Sequence, residues 1–394
     1  MKKFVKSVKD PIHGYIEVTE TELEIIDTLP LQRLRRIKQL PGSEYVYPGA
    51  MNTRFEHSLG VMHLAGLMGT RISEQTGEDV VPLLRMAGLL HDVGHGPFSH
   101  SFEPILREKL GMTHEEMSVL LIRNTEISAI LERRGFDADE VADLITGKYR
   151  RKSLSMIINS SVDADKMDYT VRDSYHTGAG YSVDIHRIAL NSMEVNGEFV
   201  INARALEAVE SLLMARLLSF RTIYYHKTSR AIQLMLEKAM KSVVDVLGLE
   251  RILEEPELYL NLDDYTMWEI LKRDERSKPI MEKLMRRQIL KVAKEWYGKT
   301  LSSSQAKEFE RILSDISGIN EENIVVDAPK IEFIKPSNMP MIWRDGELRD
   351  PLEESPVLNR LRGLFPTIVR VYTWPEYRNK LKGILVKKDP SDFL

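Results

Sequence analysis

The stretch LLHDVGHGPFSH, residues 89–100, combines the end of an apolar segment with a dense set of polar side chains. The apolar run of residues 81–90 is typical of a buried helix, and the glycines that follow are typical of a helix end. His91 and Asp92 are therefore expected at the end of a helix, facing a cavity. A lone His-Asp pair is also typical of a structural hydrogen bond, so a functional interpretation requires further residues of the same chemistry.

Two other segments supply such residues. Upstream, Arg54 and His57 are three positions apart at the start of another apolar helix, so both can project from one face of its first turn. Downstream, residues 162–174 form a predicted helix with Asp165 near its start. Together the segments offer four candidate metal ligands: His57, His91, Asp92 and Asp165. Two imidazoles and two carboxylates suit Mn, Fe, Zn or Ni, and affinity alone does not distinguish these metals.

Composition limits the classes of protein and of site. The chain has 394 residues, a net charge of −4 and no cysteine. The absence of thiols excludes a disulfide framework and thiolate metal sites, and it fits a reducing, cytoplasmic compartment. The slightly negative net charge gives no sign of the basic surface that binds duplex nucleic acid. No stretch approaches the ~18 apolar residues of a membrane span and no secretory signal is present, so we expect neither insertion nor secretion.

Apolar periodicity divides the chain into two regions. From residue 20 to residue 249 helical spacing dominates, beginning with an amphipathic helix over 25–40 that is interrupted at Pro30. Later segments predict charged helices at 263–298 and 304–316 and β-like runs at 323–334, 339–343 and 367–374. A chain of this length is expected to exceed one hydrophobic core. The predicted division is a helical bundle of residues 1–250 and a smaller α+β domain of residues 251–394.

The order His57, His91-Asp92, Asp165 resembles the metal-binding signature of the HD superfamily of phosphohydrolases. Further motifs resemble its deoxynucleoside triphosphate triphosphohydrolase branch: DPIHG at 10–14, RLRRIKQL at 33–40, FEHSLG at 55–60, HDVGHGPFSH at 91–100 and DKMDY at 165–169. The likeness extends over roughly residues 8–290. It implies a mainly α HD-domain bundle, with a C-terminal domain related to assembly or to effector binding.

The resemblance also implies a reaction. Water would attack the α-phosphorus of a deoxynucleoside triphosphate and release the deoxynucleoside and intact triphosphate. The metal would polarise a phosphoryl oxygen, and Mg²⁺ on the substrate phosphates is a further expectation. No GxxxxGK[ST] segment occurs, so metal and basic side chains, rather than a P-loop, would bind the phosphates.

Site roles follow from matching positions. The catalytic positions are His95 and His114, with Glu115 and Glu103 as orienting partners. The substrate-binding positions are Gln39, Leu40, Arg54, His100, Lys166, Tyr169, Asp173, Arg216 and Tyr224. In the sugar pocket, buried groups left unpaired would reject analogues that lack the 3′-hydroxyl. Ordinary explanations exist as well: His114 follows a threonine typical of a helix cap, and tyrosines at helical spacing are typical of a core.

A second set of matching positions concerns regulation. The effector positions are Asp27, Gln32, Arg35, Arg187, Arg204, Arg287 and Lys291. They imply activation by GTP or a dNTP in a homo-oligomer, either a dimer or a tetramer, although such residues are also typical of solvated helix faces. Two departures from the family leave base preference and activator recognition open. Tyr225 replaces a polar amide beside the base, and Lys9 replaces an amide at the activator site.

Two alternatives stay open. An HD phosphohydrolase acting on nucleoside monophosphates or phosphodiesters would keep the metal ligands and differ in the basic set, whereas the three cations Arg54, Lys166 and Arg216 together favour a polyphosphate. A nucleotide-sensing regulatory protein with weak catalysis would be indicated by loss of a ligand or of the two catalytic histidines. Neither kind of loss occurs in this sequence.

Overall fold

A β-hairpin opens the chain, and a succession of helices that carry the sequence motifs follows it. The computed structural model describes residues 4–329, 340–361 and 367–393. The hairpin pairs β1 (Phe4–Asp10) with β2 (Gly14–Thr19) in antiparallel register. The helices that follow are α1 (Glu20–Ile26), α2 (Leu29–Arg33), α3 (Arg54–Thr76), α4 (Val81–Leu90), α5 (Glu103–Leu110), α6 (His114–Asn124), α7 (Glu126–Arg133), α8 (Ala138–Ile145), α9 (Lys152–Ile158), α10 (Ala164–Thr177) and α11 (Ile185–Leu190).

Helices alternate with short strands in the second half. In chain order the elements are β3 (Ser192–Val195), β4 (Glu198–Asn202), α12 (Leu206–Ser219), α13 (Lys227–Ser242), α14 (Asp264–Arg273), α15 (Lys278–Met285), β5 (Lys291–Tyr297), α16 (Ser303–Ser317), β6 (Ile324–Asp327), β7 (Met341–Ile342), β8 (Leu348–Arg349), α17 (Pro351–Glu354), α18 (Pro356–Leu361), β9 (Ile368–Thr373) and α19 (Pro375–Leu385). One sheet has the order β3-β4-β7-β8, and another has the antiparallel order β5-β9-β6. Within the described ranges, no helix combines the length and apolarity needed to cross a membrane.

Glycines set how closely the central helices approach. α3 and α4 pack against each other, and a Cβ at Gly88 would lie only 3.0 Å from the carbonyl oxygen of Val61. After α4, a Cβ at Gly94 would overlap the backbone of α6 at Ser118. Both positions therefore need the smallest residue, because any side chain would push the helices apart. The close packing of α4 and the turn after it places that turn beside the start of α6.

The hydrophobic core of the helical bundle extends past the predicted domain boundary. It contains buried residues of β2 and of every helix from α1 to α15, and it also includes Leu290, Met341, Leu352, Leu358, Tyr372 and Trp374. A separate core, formed by β5, β6, β9, α16 and α19, begins at Ala293. Tyr259 is fully buried and donates a 2.9 Å hydrogen bond to the carbonyl of Gly94. Residues 251–290 therefore pack with the bundle, while the domain division at residue 250 stays a prediction.

The mainly α architecture with a smaller sheet-containing region is confirmed, but one helix prediction is wrong at its end. The segment 263–298 contains α14 and α15, but residues 291–297 near its end form β5. Lysines in that stretch suggested a charged helix face. However, β5 pairs with β9, about 70 residues later in the chain, and buries Ala293 and Trp296. Pairing with a distant segment thus overrides the local pattern.

The first predicted helix also differs from the structure. α1 ends at Ile26, before the expected interruption, and Pro30 lies in the first turn of α2, where its missing N–H is not needed. Ile37 has an extended backbone and lies outside any helix. Of the β-like runs, strands β6, β7 and β9 confirm the central parts, and residues 330–334 and 339 lie outside the described residues.

Candidate active site

Three helices bring the four predicted metal ligands together. His57 lies in the first turn of α3, His91 ends α4 with Asp92 directly after it, and Asp165 lies in the first turn of α10. The first three offer ligand atoms that all lie within 4.8 Å of one another. Oδ1 of Asp165 is 3.0 Å from Nε2 of His57 and 3.8 Å from Nε2 of His91. Residues that are distant in sequence thus form one compact cluster.

The orientation of both histidines suits metal binding. Nδ1 of His91 donates a 2.8 Å hydrogen bond to the carbonyl of Gly88, and its buried Nε2 has no hydrogen-bond partner among the described residues. Nδ1 of His57 lies 2.8 Å from Oδ2 of Asp168, which leaves Nε2 facing the cluster. Imidazoles that donate one N–H to a carbonyl or carboxylate present the other nitrogen as a ligand. The donor set therefore fits a divalent transition metal.

Electrostatics keep the cluster's carboxylates ionised. Burial opposes the charge of Asp92, but Arg54, His91 and His95 outweigh it and hold its pKa well below the usual range. Burial also opposes protonation of His57, yet hydrogen bonds to Asp165 and Asp168 raise its pKa to about 10. The carboxylates therefore favour a positive charge between them. Without a metal this charge is the proton on His57, and with a metal it is the divalent ion.

Basic side chains surround the cluster. Nη1 of Arg54 lies 2.6 Å from Oδ2 of Asp92, and its Nε donates to the hydroxyl of Ser99 at 3.0 Å. Nζ of Lys166 lies 2.7 Å from Oδ2 of Asp163, the carboxylate that caps α10. Arg216, almost fully buried on α12, donates to the hydroxyl of Tyr169 at 3.2 Å. These three cations lie around one site, as the polyphosphate interpretation requires.

The two predicted catalytic histidines lie in contact. Their rings stack with centroids 4.0 Å apart, and Nε2 of His95 is 3.3 Å from Oδ1 of Asp92. Burial and the nearby Arg54 hold the pKa of His95 well below its usual value, so its imidazole is neutral at pH 7. Nδ1 of His114 lies 2.8 Å from Oε2 of Glu103. Of the two orienting glutamates, Glu103 makes this contact, whereas Glu115 is exposed in the first turn of α6.

A cavity of about 330 Å³ opens next to the cluster of proposed ligands. Seven predicted substrate residues line it: Gln39, Leu40, Arg54, His100, Tyr169, Asp173 and Tyr224. The other lining residues are Pro41, Ser101, Phe220, Tyr225, Arg230 and Gln233. Lys166 and Arg216 lie beside Tyr169 rather than on the cavity wall. Arg54 lines the cavity and also contacts Asp92 of the ligand cluster, so the cavity and the cluster are parts of one site.

The inner end of the cavity is polar. The hydroxyl of Tyr224 and the amide of Asn52 each donate a 2.9 Å hydrogen bond to the carboxylate of Asp173. Burial raises the pKa of Asp173 to about 6 against these two opposing contacts. Tyr224 ends a π-helical turn, Phe220–Tyr224, that follows α12. Such wide turns are common at functional sites, and this one aims Tyr224 at the carboxylate.

Sequence reasoning did not assign three residues that support the site. Asp168 orients His57, Asn52 holds Asp173, and Asp163 pairs with Lys166. Asp168 follows Asp165 by three positions, and residues at that spacing lie on one helix face. This spacing was a signal that could have identified it. The partner of Asn52 is 121 residues away, and no local pattern indicates such a contact.

The predicted effector residues fall into separate groups. Nε of Arg35 donates to Oε1 of Gln32 at 2.9 Å, and its guanidinium lies 3.6 Å from the ring centroid of Phe55. Asp27 caps the end of α1 nearby in sequence. Arg187 donates to the backbone carbonyl of Arg204. The remaining two positions, Arg287 and Lys291, precede and begin β5.

Comparison with known families gives matches over both parts of the chain. Residues 54–173 match the HD domain, and residues 183–387 match the HD associated region. The solved structure of a hypothetical protein from Aquifex aeolicus resembles this one with a TM-score of 0.81 at 28% identity. The similarity covers 96% of this chain and 99% of that one.

Curated relatives are similar over most of the chain. A deoxynucleoside triphosphate triphosphohydrolase SAMHD1 homolog of Dictyostelium discoideum is 31% identical, covering 84% of this chain and 69% of the relative. An uncharacterized protein of Methanocaldococcus jannaschii is 37% identical, covering 73% of this chain and 59% of that protein. The aligned part of this chain therefore spans between 59% and 69% of these two relatives.

Proposed function

Since this chain belongs to the HD-domain family of phosphohydrolases, we propose that it is a metal-dependent hydrolase of deoxynucleoside triphosphates. The products are the deoxynucleoside and inorganic triphosphate. One observation carries the proposal: Arg54 both contacts Asp92 of the ligand cluster and lines the adjacent cavity. A substrate in the cavity therefore has its phosphates at the ligands and its nucleoside at the aromatic wall.

The four ligands would hold one divalent ion, which supplies charge neutralisation at the phosphate and acidifies water. Manganese, iron, zinc and nickel all suit this donor set, and Mg²⁺ suits the free phosphates of the substrate. Arg54, Lys166 and Arg216 balance the negative charge of the triphosphate. A monophosphate would contact fewer of these three cations.

Proton transfer falls to the stacked histidines. Water attacks the α-phosphorus, the bond from phosphorus to the 5′-oxygen breaks, and that oxygen must gain a proton to leave as a hydroxyl. His114, whose Nδ1 faces Glu103, is oriented so that Nε2 can donate this proton. His95, neutral at pH 7, can accept one from water. The triphosphate thus gains the hydroxyl group of one water, and the deoxynucleoside gains one proton.

The inner end of the cavity offers hydrogen-bond acceptors to the sugar. Oε1 of Gln39 and Oδ1 of Asn52 are buried and have no hydrogen-bond partner among the described residues. Together with Asp173 they offer acceptors for the sugar 3′-hydroxyl. A hydroxyl donates one hydrogen bond, so a sugar without it would leave one of these acceptors unpaired, which costs roughly 1–3 kcal/mol. Phe220, Tyr224 and Tyr225 give the base an aromatic wall.

Product analysis tests the reaction. Metal-loaded protein is incubated with each dNTP and each NTP, and the products are separated by chromatography. Deoxynucleoside plus triphosphate is the expected result, with ribonucleotides poorer substrates. Pyrophosphate plus a monophosphate, or hydrolysis of monophosphates and phosphodiesters alone, would assign another reaction class. Nucleotide binding without turnover would assign a sensing role.

Regulation is the second part of the proposal. We infer that the effector positions bind GTP or a dNTP in a homo-oligomer, dimer or tetramer, and that the nucleotide activates hydrolysis. The contacts of Arg35 with Gln32 and Phe55, which fix its guanidinium between the end of α2 and the start of α3, support this inference. A cytoplasmic location is part of the same proposal and rests on the absence of cysteine.

A further inference from the structure

Three histidines outside the proposed active site meet beneath the N-terminal hairpin. His13 lies in the turn between β1 and β2, His63 lies on α3, and His186 lies on α11. The ring of His13 is 5.0 Å from that of His63 and 6.0 Å from that of His186, between centroids. Each offers one nitrogen, and these nitrogens all lie within 4.8 Å of one another. The proposed reaction uses none of the three.

His13 is the buried member of this cluster. Its ring is buried, and Nε2 lies 2.7 Å from Oδ1 of Asp168. Its buried Nδ1 has no hydrogen-bond partner among the described residues. In the neutral tautomer that donates from Nε2 to the carboxylate, Nδ1 carries a lone pair. A buried unpaired nitrogen is unfavourable unless a ligand occupies it, and a carboxylate on the opposite nitrogen is the usual support of a metal-binding histidine.

The other two imidazoles are available as neutral ligands. Burial, with the nearby His13 and Arg85, lowers the pKa of His63 to about 4, and burial also lowers the pKa of His186. The guanidinium of Arg85 is already paired, at 2.6 and 2.9 Å, with the carboxylate of Glu22. His63 is partly buried and His186 is exposed, so the cluster opens to solvent on one side. An ion has a path to enter and water has a position to complete the coordination.

We propose that His13, His63 and His186 form a second metal site, which binds a divalent transition metal of the zinc class. Three imidazoles and one water are a common tetrahedral zinc environment. A centre equidistant from three nitrogens 4.8 Å apart is about 2.8 Å from each, so zinc bonds of roughly 2.0–2.1 Å require each ring to move inward by less than ~1 Å. Side-chain rotation of this size leaves the backbone in place.

Asp168 connects this site to the proposed catalytic metal. Its Oδ1 faces His13, its Oδ2 faces His57 at 2.8 Å, and Arg172 donates to both oxygens. One carboxylate therefore fixes the tautomer of one ligand at each site. Metal at the three histidines holds His13 in the form that donates to Asp168, and it thereby favours the orientation of His57 that binds the second ion. The coupling is reciprocal, because each ion changes the affinity for the other by the same factor.

Zinc stoichiometry tests the site. Metal-free full-length protein is dialysed against Zn²⁺ and analysed for bound metal. We expect two ions per chain in the wild type and one in His186→Ala, whose exposed position leaves the core intact. The control His176→Ala removes a histidine outside both clusters and should keep two ions. Far-UV circular dichroism verifies that each variant is folded.

The same measurement separates this inference from the proposed function. If the wild type binds one ion that His186→Ala loses and His91→Ala keeps, this result would support the histidine site and contradict the catalytic site. Two ions retained in His186→Ala, or a single ion that only His91→Ala loses, would overturn the histidine site. Asp168→Asn should weaken zinc binding at both sites by about 10-fold to 100-fold. An unchanged affinity at the histidine site in this variant would overturn the connection through Asp168.

Discussion

Nη1 of Arg54 donates a 2.6 Å hydrogen bond to Oδ2 of Asp92, so a phosphate-binding cation and a metal ligand of the proposed site are in direct contact. Both side chains are almost fully buried. The contact lowers the pKa of Asp92 and keeps the carboxylate ionised for metal binding. Arg54 therefore acts on the proposed metal and on the substrate. Arg216, which donates to Tyr169 and to a backbone carbonyl, contacts none of the four proposed ligands in these bonds and should act on the substrate alone.

Replacing Arg54 by alanine should weaken both binding events. We expect metal affinity to fall by about 10-fold, as for other residues that support a ligand, and KM for dNTP to rise. Arg216→Ala should raise KM by a similar factor and leave metal affinity unchanged. Isothermal titration with Mn²⁺ and steady-state kinetics measure the two effects. Equal metal affinity in both variants would contradict the dual role of Arg54.

Loss of a ligand should be more severe. His91→Ala removes the imidazole whose Nε2 faces the cluster, so bound metal should fall and hydrolysis should decrease by more than about 100-fold. The fold should survive, because the bundle core is formed by residues elsewhere. Elemental analysis and product assays measure the change, with His176→Ala as the matched control. Full metal occupancy together with wild-type turnover in His91→Ala would end the metal-site interpretation.

The sugar end of the cavity can be tested with a single hydroxyl. Tyr224→Phe removes the 2.9 Å hydrogen bond to Asp173 and leaves the ring in place. We expect KM for dNTP to rise about 5-fold to 10-fold, equivalent to roughly 1 kcal/mol, with a smaller change in kcat. Tyr175→Phe alters an exposed tyrosine of α10 and should have no effect. An unchanged KM in Tyr224→Phe would exclude a role for this contact in substrate binding.

Assembly and activation should change together. A nucleotide that binds only an assembled form stabilises it by roughly RT ln(1 + [L]/Kd), so GTP or a dNTP should raise both the oligomer fraction and the turnover. Arg35→Ala should reduce this response and spare metal binding, whereas Arg123→Ala, in an exposed ion pair with Asp139, should respond as the wild type does. Gel filtration and rate measurements check this. The same oligomer and turnover with and without nucleotide in wild type and Arg35→Ala would remove the effector proposal.

Asp264 should make stability depend on pH. It accepts hydrogen bonds from the backbone of Lys38 and Phe98, yet burial raises its pKa to about 6. The folded state then binds more protons than the unfolded state between pH 4 and 6, so this contribution to stability grows as pH falls through that window, by about 3 kcal/mol at most. The difference in unfolding free energy between wild type and Asp264→Asn should show this trend in urea titrations.

The neighbouring Asp263 provides a control with the opposite sign. Burial opposes its charge, but hydrogen bonds from Thr266 and Arg36 outweigh it and lower its pKa. Its contribution is present above the pKa of the unfolded state and is lost as pH falls through the lower folded pKa. Asp263→Asn should therefore show a nearly constant difference from wild type between about pH 6 and 5, and a difference that begins to shrink towards pH 4. Parallel curves for both variants would contradict the assignment for Asp264.

Local patterns predicted the helices of the bundle well. The start and end of α4, at Val81 and Leu90, follow from a continuous apolar run that ends in glycines. β5 was missed, because its stability comes from β9 and a strand of mixed charged and apolar residues has no local signature that excludes a helix. The position of Pro30 was interpreted as an interruption, although proline is favoured in a first helical turn.

The candidate site likewise contains residues that sequence motifs indicate and contacts that they do not. The four proposed ligands belong to motifs near helix ends that resemble the HD signature, and the structure places these residues together. Their role in binding a metal stays a prediction. Supporting contacts such as that of Asn52 with Asp173 depend on how α10 packs against the loop before α3. His13 was part of a quoted motif, but its meeting with His63 and His186 depends on the position of the hairpin.

Because Phe220–Tyr224 form a π-helical turn, loss of a single codon there would change the wall of the cavity. A π turn contains about one residue more than an α turn, so deleting one residue there would restore the α-helical register and rotate Tyr224 by about 100°. The residues before the turn, including Arg216, would keep their positions. A one-residue deletion at this point would therefore change the aromatic wall of the proposed nucleoside pocket and leave the proposed ligand cluster in place.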